Sequence, residues 1–327
     1  MDQPHAPPSH GGDLWRAAAE SGRSMNDILD FSVNVHPLGP PPGALSAAAE
    51  AVLSEGGRYP PPRGGALAEA LGAKVGAPVS LGNGATELLS AALAEARRVW
   101  VRAPSYRGYA ECAWRSEVLT FEGEPSDLPF QPGDALVLGR PNNPDGDLPS
   151  VAEIAALRRP GLQLVVDESF LGFTDAPSCT GLPGVVVVAS LTKTYAIPGL
   201  RLGLATGLDP RRLPPWSVNA AALAAGRVIV ERWAWPRQIP LDAWRCALAE
   251  GLSALDRVER ARGAANFLLI TLKRAEGPAL AAWLLAEAGL LVRDASNFAG
   301  LDARHLRVAV RTPAENARLL EALCCAP

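Results

Sequence analysis

The stretch Val185-Val-Val-Val-Ala189, running into Ser190-Leu-Thr-Lys-Thr-Tyr-Ala-Ile-Pro-Gly-Leu-Arg-Leu-Gly203, decides how this chain is read. Five consecutive apolar residues, four of them β-branched, predict a strand buried on both faces. The polar segment after it carries an amine at Lys193, hydroxyls at Ser190 and Thr192, and a guanidinium at Arg201. Hydroxyls and guanidinium together suit a phosphate, and the amine can form a Schiff base with a carbonyl. A lysine after a strand is more often a solvated loop residue. The neighbours of Lys193 make it the first catalytic candidate.

Outward from this stretch, helical patterns alternate with short apolar runs. Helices are predicted over Thr86 to Ala96, Ser105 to Arg115 and Val151 to Arg158. Strands are predicted over Val99 to Arg102, Val118 to Phe121, Ala135 to Leu138, Gln163 to Val166, Val185 to Ala189 and Leu202 to Thr206. Such alternation specifies an α/β fold with a mostly parallel sheet covered by helices on both faces and the site at the strand ends. After about Pro215 the pattern changes to helices Ala220 to Trp233, Leu241 to Leu255 and Gly277 to Ala288. Strands there are expected at Phe267 to Leu272, Leu290 to Arg293 and Leu306 to Val310. The expected organisation is an N-terminal segment (1–35) serving the site and a smaller domain, a large domain (36–218), and a small α+β domain (219–327). Leu213-Pro-Pro-Trp216 is the expected junction.

At 327 residues the chain has ample material for such a core. A formal net charge of -3 with no basic run argues against a nucleic-acid partner. No run approaches the roughly 18 apolar residues of a membrane span, and the five cysteines show neither metal-ligand nor disulfide-framework spacing. The expectation is a cytoplasmic protein with no metal and no membrane insertion.

Further candidates lie upstream of Lys193. Asp167 ends the apolar run Leu162-Gln-Leu-Val-Val-Asp167, which brings its carboxylate to the carboxyl edge of the sheet, although such an aspartate also reads as a cap or turn residue. Gly82-Asn-Gly-Ala-Thr-Glu87 opens a helix, so the free N–H groups of Ala85 and Thr86 can meet a phosphate. Asn143, in Pro141-Asn-Asn-Pro-Asp-Gly146, and Tyr106, in Pro104-Ser-Tyr106, taken singly are a turn residue and a core aromatic.

The order of these motifs resembles the fold-type I pyridoxal-phosphate (PLP) enzymes, the aspartate aminotransferase superfamily. The resemblance implies a PLP-dependent transferase fold with Lys193 carrying the cofactor and Asp167 paired with its pyridine nitrogen. It further implies Tyr106 stacked on the ring and Asn143 bonded to the ring's phenolic oxygen. Gly84, Ala85, Thr86, Ser190, Thr192 and Arg201 would surround the phosphate. Tyr59, in Arg58-Tyr-Pro60, corresponds to a tyrosine that reaches the cofactor phosphate of the neighbouring subunit, which implies a homodimer with shared sites.

Several stretches across nearly the whole chain are similar to one family within it, the L-threonine-O-3-phosphate decarboxylases of cobalamin biosynthesis. They are His10-Gly-Gly12, Leu29-Asp-Phe-Ser-Val-Asn34, Pro215-Trp-Ser-Val-Asn219, Ala265-Asn-Phe267, and Leu291-Val-Arg293 with Leu306-Arg-Val-Ala-Val-Arg311. This implies loss of CO2 from a phosphorylated amino acid whose phosphate and carboxylate are held by His10, Asn34, Arg293 and Arg307. Phe170 stands where aminotransferases commonly have a tyrosine, Asp145 where the family usually has threonine, and Asp13 where asparagine is common. Histidinol-phosphate aminotransferases share the cofactor motifs and give the competing expectation. A PLP-binding regulator without turnover is a third, although such proteins normally carry a DNA-binding module and no basic helix-turn-helix segment is visible here.

Overall fold

The computed structural model describes residues 11–327, so the expected contribution of His10 lies outside the described residues. The strands in chain order are β1 (Leu29–Asp30), β2 (Val79–Gly82), β3 (Arg98–Arg102), β4 (Glu117–Phe121), β5 (Asp134–Gly139), β6 (Gln163–Asp167) and β7 (Val185–Ser190). After them come β8 (Gly203–Thr206), β9 (Val258–Arg262), β10 (Phe267–Leu272), β11 (Leu290–Leu291), β12 (Arg293–Asp294) and β13 (His305–Ala309). The chain divides into two compact units. Among the described residues the smaller comprises 11–37, Pro144–Gly146 and Pro240–Pro327; the larger comprises Leu38–Asn143 and Asp147–Ile239.

In the larger unit seven strands form one sheet in the order β2-β8-β7-β6-β5-β3-β4. β8 runs antiparallel to both its neighbours and the other pairings are parallel. Side chains alternate between two cores. Val99, Val101, Ala135, Val137, Val165, Val186 and Val188 enter one, while Trp100, Leu136, Leu138, Leu164, Val166, Val185 and Val187 enter the other. Burial on both faces is why these strands read as continuous apolar runs. Each fully buried Val or Leu contributes roughly 1.5–3 kcal/mol relative to exposure, so the sheet is a rigid platform for its loops.

The reversed direction of β8 has a geometric result. Six strands end at one edge of the sheet, and β8 begins there. Gly203, its first residue, pairs with Gly82 at the end of β2 and with Ser190 at the end of β7. The segment 191–202 therefore leaves this edge and returns to it.

The expected strands are present within a residue or two, except that Leu290 to Arg293 divides into β11 and β12, which belong to different sheets, and the expected helix from Ser105 to Arg115 forms only over Gly108–Cys112. The expected domain boundary at residue 219 is corrected. Helix Ala220–Glu231 packs on helix Ala44–Glu55 through Ala44, Ala48, Ala221 and Ala225, whose small side chains let the backbones approach. That places it in the larger unit, and the boundary falls at Pro240. Leu213 is likewise buried in a core of the larger unit, so Leu213-Pro-Pro-Trp216 is not the junction.

In the smaller unit β12-β13-β10-β9 form an antiparallel sheet, and β1 pairs in parallel with β11. Its helices include Leu241–Ser253, Gly277–Ala288 and Pro313–Cys325, the last begun by a capping box between Thr312 and Glu315.

Candidate active site

The larger unit gathers most of the expected residues at one edge of its sheet. Asp167 ends β6 opposite Gly139 of β5, and it is buried. Its Oδ1 accepts from the Ser169 amide at 2.9 Å and its Oδ2 from the Tyr109 hydroxyl at 3.0 Å. Tyr109 was not singled out by sequence. The Tyr106 and Tyr109 rings meet edge to face at 5.4 Å. Burial, then the nearby Asp167 charge, pushes the Tyr106 phenol up to about 12 and the Tyr109 phenol well above its ordinary range, so both remain neutral donors at physiological pH.

Asn143 is buried in the loop after β5. That loop is braced by Asn142, whose Oδ1 accepts from the Ser105 hydroxyl at 2.7 Å and whose Nδ2 donates to the Pro104 carbonyl at 2.8 Å. Arg140, at its start, forms a buried ion pair with Glu168 at 2.9 Å. Glu168 also accepts from the Cys179 amide at 2.8 Å and from the Ser178 hydroxyl at 2.5 Å. This strut joins the loop carrying Asn143 to the residue after Asp167. Neither of its charged groups announces itself in sequence, because the partners are 28 positions apart.

Lys193 lies in a single helical turn, Leu191–Thr194, and its Nζ is 5.3 Å from the centre of the Phe170 ring. The return segment is held by hydrogen bonds from the Leu191 amide to the Leu202 carbonyl (3.1 Å) and from the Ile197 amide to the Thr192 carbonyl (2.9 Å). Two of its non-glycine residues, Ala196 and Arg201, have positive φ of 50° and 62°. Such conformations cost on the order of 1–3 kcal/mol each and persist where surrounding structure demands them.

Ser190 and Thr192 hydroxyls are buried 2.6 Å apart. Gly84, with φ of +78°, opens helix Gly84–Leu93, and a Cβ built on it would stand 2.4 Å from Nη2 of Arg201. A Cβ on Gly203 would come within 2.9 Å of the Ala85 nitrogen. Glycine at both positions thus lets the helix N-terminus, with Ala85 and Thr86 in its first turn, lie against the arginine. Backbone N–H groups at a helix start, a guanidinium and two hydroxyls are donors that suit a phosphate. Tyr59 is 82 % exposed, with its ring tilted against Trp216 at 4.8 Å.

The remaining candidates are in the smaller unit. Arg293 and Arg307 are directly opposite on β12 and β13, and both are buried. The Arg307 guanidinium donates to the Ser32 carbonyl at 2.7 Å and lies 5.7 Å from the Phe267 ring; Arg293 donates to Asn297 at 2.7 Å and lies 5.2 Å from the Phe298 ring. Directly opposed residues face the same side of a sheet, so two planar forks are offered together. Nearby in sequence to Ser32, both amide atoms of Asn34 are buried with no hydrogen-bond partner among the described residues. Leaving such groups unpaired costs about 1–3 kcal/mol each. Asp145 is 3.8 Å from Arg262, and Asp13 caps helix Leu14–Ser21 through the Arg16 amide.

The family model for class I and II aminotransferases matches residues 26–240, about two thirds of the chain. The chain belongs to this family. Threonine-phosphate decarboxylase of Salmonella typhimurium is 33 % identical, the match covering 96 % of this chain and 95 % of that protein. Histidinol-phosphate aminotransferase of Symbiobacterium thermophilum is 32 % identical over 91 % of this chain and 90 % of its own. Among solved structures, L-threonine-O-3-phosphate decarboxylase from Porphyromonas gingivalis superposes with a TM-score of 0.79 at 28 % identity, covering 90 % of this chain and 98 % of that one.

The fold is that of the fold-type I PLP enzymes, a large α/β unit with a smaller α+β unit, and the family's cofactor is pyridoxal 5'-phosphate. The residues fit that cofactor. The donors around Gly84 and Arg201, a lysine amine on the segment between Ser190 and Gly203, and a buried carboxylate at Asp167 answer its phosphate, aldehyde and ring nitrogen. Among the described residues no cluster of His, Cys, Asp and Glu could hold a metal ion, and no helix is long and apolar enough to cross a membrane.

Proposed function

We propose that this enzyme decarboxylates L-threonine O-3-phosphate to (R)-1-amino-2-propanol O-2-phosphate, the linker unit of the cobalamin nucleotide loop. The observation that carries the reading is the pair of buried guanidiniums, Arg293 and Arg307, side by side on adjacent strands. A substrate bearing both a carboxylate and a phosphate has one anion for each fork. The near full-length likeness to the Salmonella decarboxylase supports the same assignment.

PLP, when bound, draws the electrons of one substrate bond at the α-carbon into its ring. Lys193 would supply the amine that holds the cofactor until a substrate amine takes its place. Its Nζ, once released, would be the natural donor of the proton that replaces CO2 at the α-carbon. Asp167 would keep the proton on the ring nitrogen, Tyr106 would cover the ring face, and Asn143 would donate to the ring's phenolic oxygen. The phosphate is held by Arg201, Ser190, Thr192 and the amides of Gly84, Ala85 and Thr86. Arg293, Arg307 and Asn34, with His10 from the N-terminal segment, would bind the carboxylate and phosphate of the substrate and so limit its rotation. Tyr59, exposed in the single chain, completes the phosphate site of a second copy in a homodimer.

Transamination of histidinol phosphate is the second reading, favoured by the likeness to the Symbiobacterium aminotransferase. The two separate in one assay. Incubated with O-phospho-L-threonine and no keto acid, the PLP-loaded enzyme releases CO2 over many turnovers on the first reading. Absence of CO2, with conversion to the pyridoxamine form by histidinol phosphate, replaces it with the second.

A further inference from the structure

We infer that Tyr109 is a positioning residue for the cofactor's ring nitrogen, acting through Asp167. The Tyr109 hydroxyl donates to Asp167 Oδ2 at 3.0 Å from a site with almost no solvent exposure. The other carboxylate oxygen is fixed by the Ser169 amide at 2.9 Å. One protein donor on each oxygen locks the carboxylate plane and stabilises its charge in a buried place.

Room for this contact is provided by a neighbouring strand. Gly139 is the register partner of Asp167, and a Cβ added there would stand 2.9 Å from the Tyr109 hydroxyl oxygen. Any side chain at residue 139 would push the phenol off the carboxylate. The same short turn also sets the aromatic assigned to the ring face, since the Tyr109 amide donates to the Tyr106 carbonyl at 3.1 Å and the two rings meet edge to face. A Cβ on Gly108 would fall 2.4 Å from the Tyr106 ring, so glycine there lets that ring lie down on the turn. One loop thereby aligns both the face and the nitrogen of the cofactor.

A neutral phenol beside a carboxylate that shares a proton with a pyridine has a definite effect. It favours the charge-separated pair, with the proton on nitrogen, over the neutral pair with the proton on the carboxylate. The inference rests on Asp167 pairing with the ring nitrogen, and the test separates the two claims. Holoenzyme is reconstituted with PLP carrying ¹⁵N in its ring, and the nitrogen resonance is read in wild type, Asp167→Asn, Tyr109→Phe, Gly139→Ala and the Asp167→Asn/Tyr109→Phe double variant. None of these readings requires knowing which substrate is used.

Expected are a shift towards the unprotonated pyridine position in Asp167→Asn, a partial shift in the same direction in Tyr109→Phe and Gly139→Ala, and no added shift from Tyr109→Phe when Asp167 is already Asn. PLP affinity should fall roughly ten- to a hundredfold in Tyr109→Phe, the equivalent of one hydrogen bond to a charged group. A shifted Asp167→Asn with an unshifted Tyr109→Phe overturns the role of Tyr109 and leaves the pairing intact. No shift in Asp167→Asn overturns the pairing, and the inference with it. If Tyr109→Phe does not fold, Gly139→Ala decides in the same way.

Discussion

Replacing Gly84 with alanine tests the proposed phosphate cradle quantitatively. Gly84 has φ of +78°, and the new Cβ would stand 2.4 Å from Arg201 Nη2 and 2.9 Å from its guanidinium carbon. Ordinary contact begins near 3.4 Å, so the guanidinium must move by about 1 Å or the helix start must recede. The left-handed backbone costs about 1–2 kcal/mol for a residue with a Cβ, and this should appear as lost stability of the apoprotein. On the proposed assignment of Arg201 to the cofactor phosphate, moving the guanidinium would remove a charge-assisted hydrogen bond, about 1.5–3 kcal/mol, which is roughly a ten- to hundredfold rise in the PLP dissociation constant. Urea unfolding of the apoprotein reads the first quantity, and titration of apoprotein with PLP, followed by tryptophan quenching, reads the second. Arg201→Ala should weaken PLP similarly, and the double variant should be little worse than either single one, because both remove the same contact. Affinity within twofold of wild type in Gly84→Ala, or simple additivity with Arg201→Ala, would refute the cradle.

Glu168→Ala leaves the Arg140 guanidinium buried with its main counter-charge gone; unfolding free energy should fall by about 3–5 kcal/mol, measured by urea titration of the apoprotein, and a loss below 1 kcal/mol would deny the strut. Burial works to raise the Asp134 carboxyl, but hydrogen bonds from Arg98, the Gln131 amide and the Trp100 indole outweigh it and hold the group down at about 2. A depressed carboxyl stabilises the fold above its unfolded value near 4 and ceases to do so as pH falls towards 2. Asp134→Asn should therefore cost on the order of 1–2 kcal/mol at pH 7, allowing for solvent at Arg98, with the gap to wild type closing between pH 4 and 2. Phe170→Tyr places a phenol near Lys193 and should lower the pH at which the lysine-bound cofactor changes its absorbance; an unchanged titration means that Phe170 is packing alone.

The sheet was legible because burial on both faces writes uninterrupted valine and leucine into the sequence. The edge that gathers the candidate residues was legible because a lysine after a buried strand, an aspartate at a strand end and a glycine-rich helix start are local signals. What escaped notice is non-local or ambiguous. Tyr109 reads as one more apolar position in Ser105 to Arg115, since its partner is 58 residues away. Arg140 and Glu168 look like ordinary surface charges until β5 and β6 are set side by side. β2 has only four residues, and β9 (Val-Glu-Arg-Ala-Arg) has a largely exposed, polar pattern, so neither offers the long apolar run of a central strand. The misplaced domain boundary has a similar cause. Helix Ala220–Glu231 follows a proline-rich turn, and its packing on another alanine-rich helix leaves no mark in its own sequence.

All the chemistry assigned to the larger unit is collected at the edge where β8 begins, and the opposite edge carries none of it. The connections around Gln131–Gly133, Arg159–Gly161 and Gly181–Gly184 lie there and are largely exposed. For practical work this makes the protein two-sided. A fluorophore, affinity tag or surface tether spliced into the Gly181–Gly184 turn would sit a full strand length from Lys193, so the protein could be immobilised or reported on from that side with its cofactor machinery left untouched.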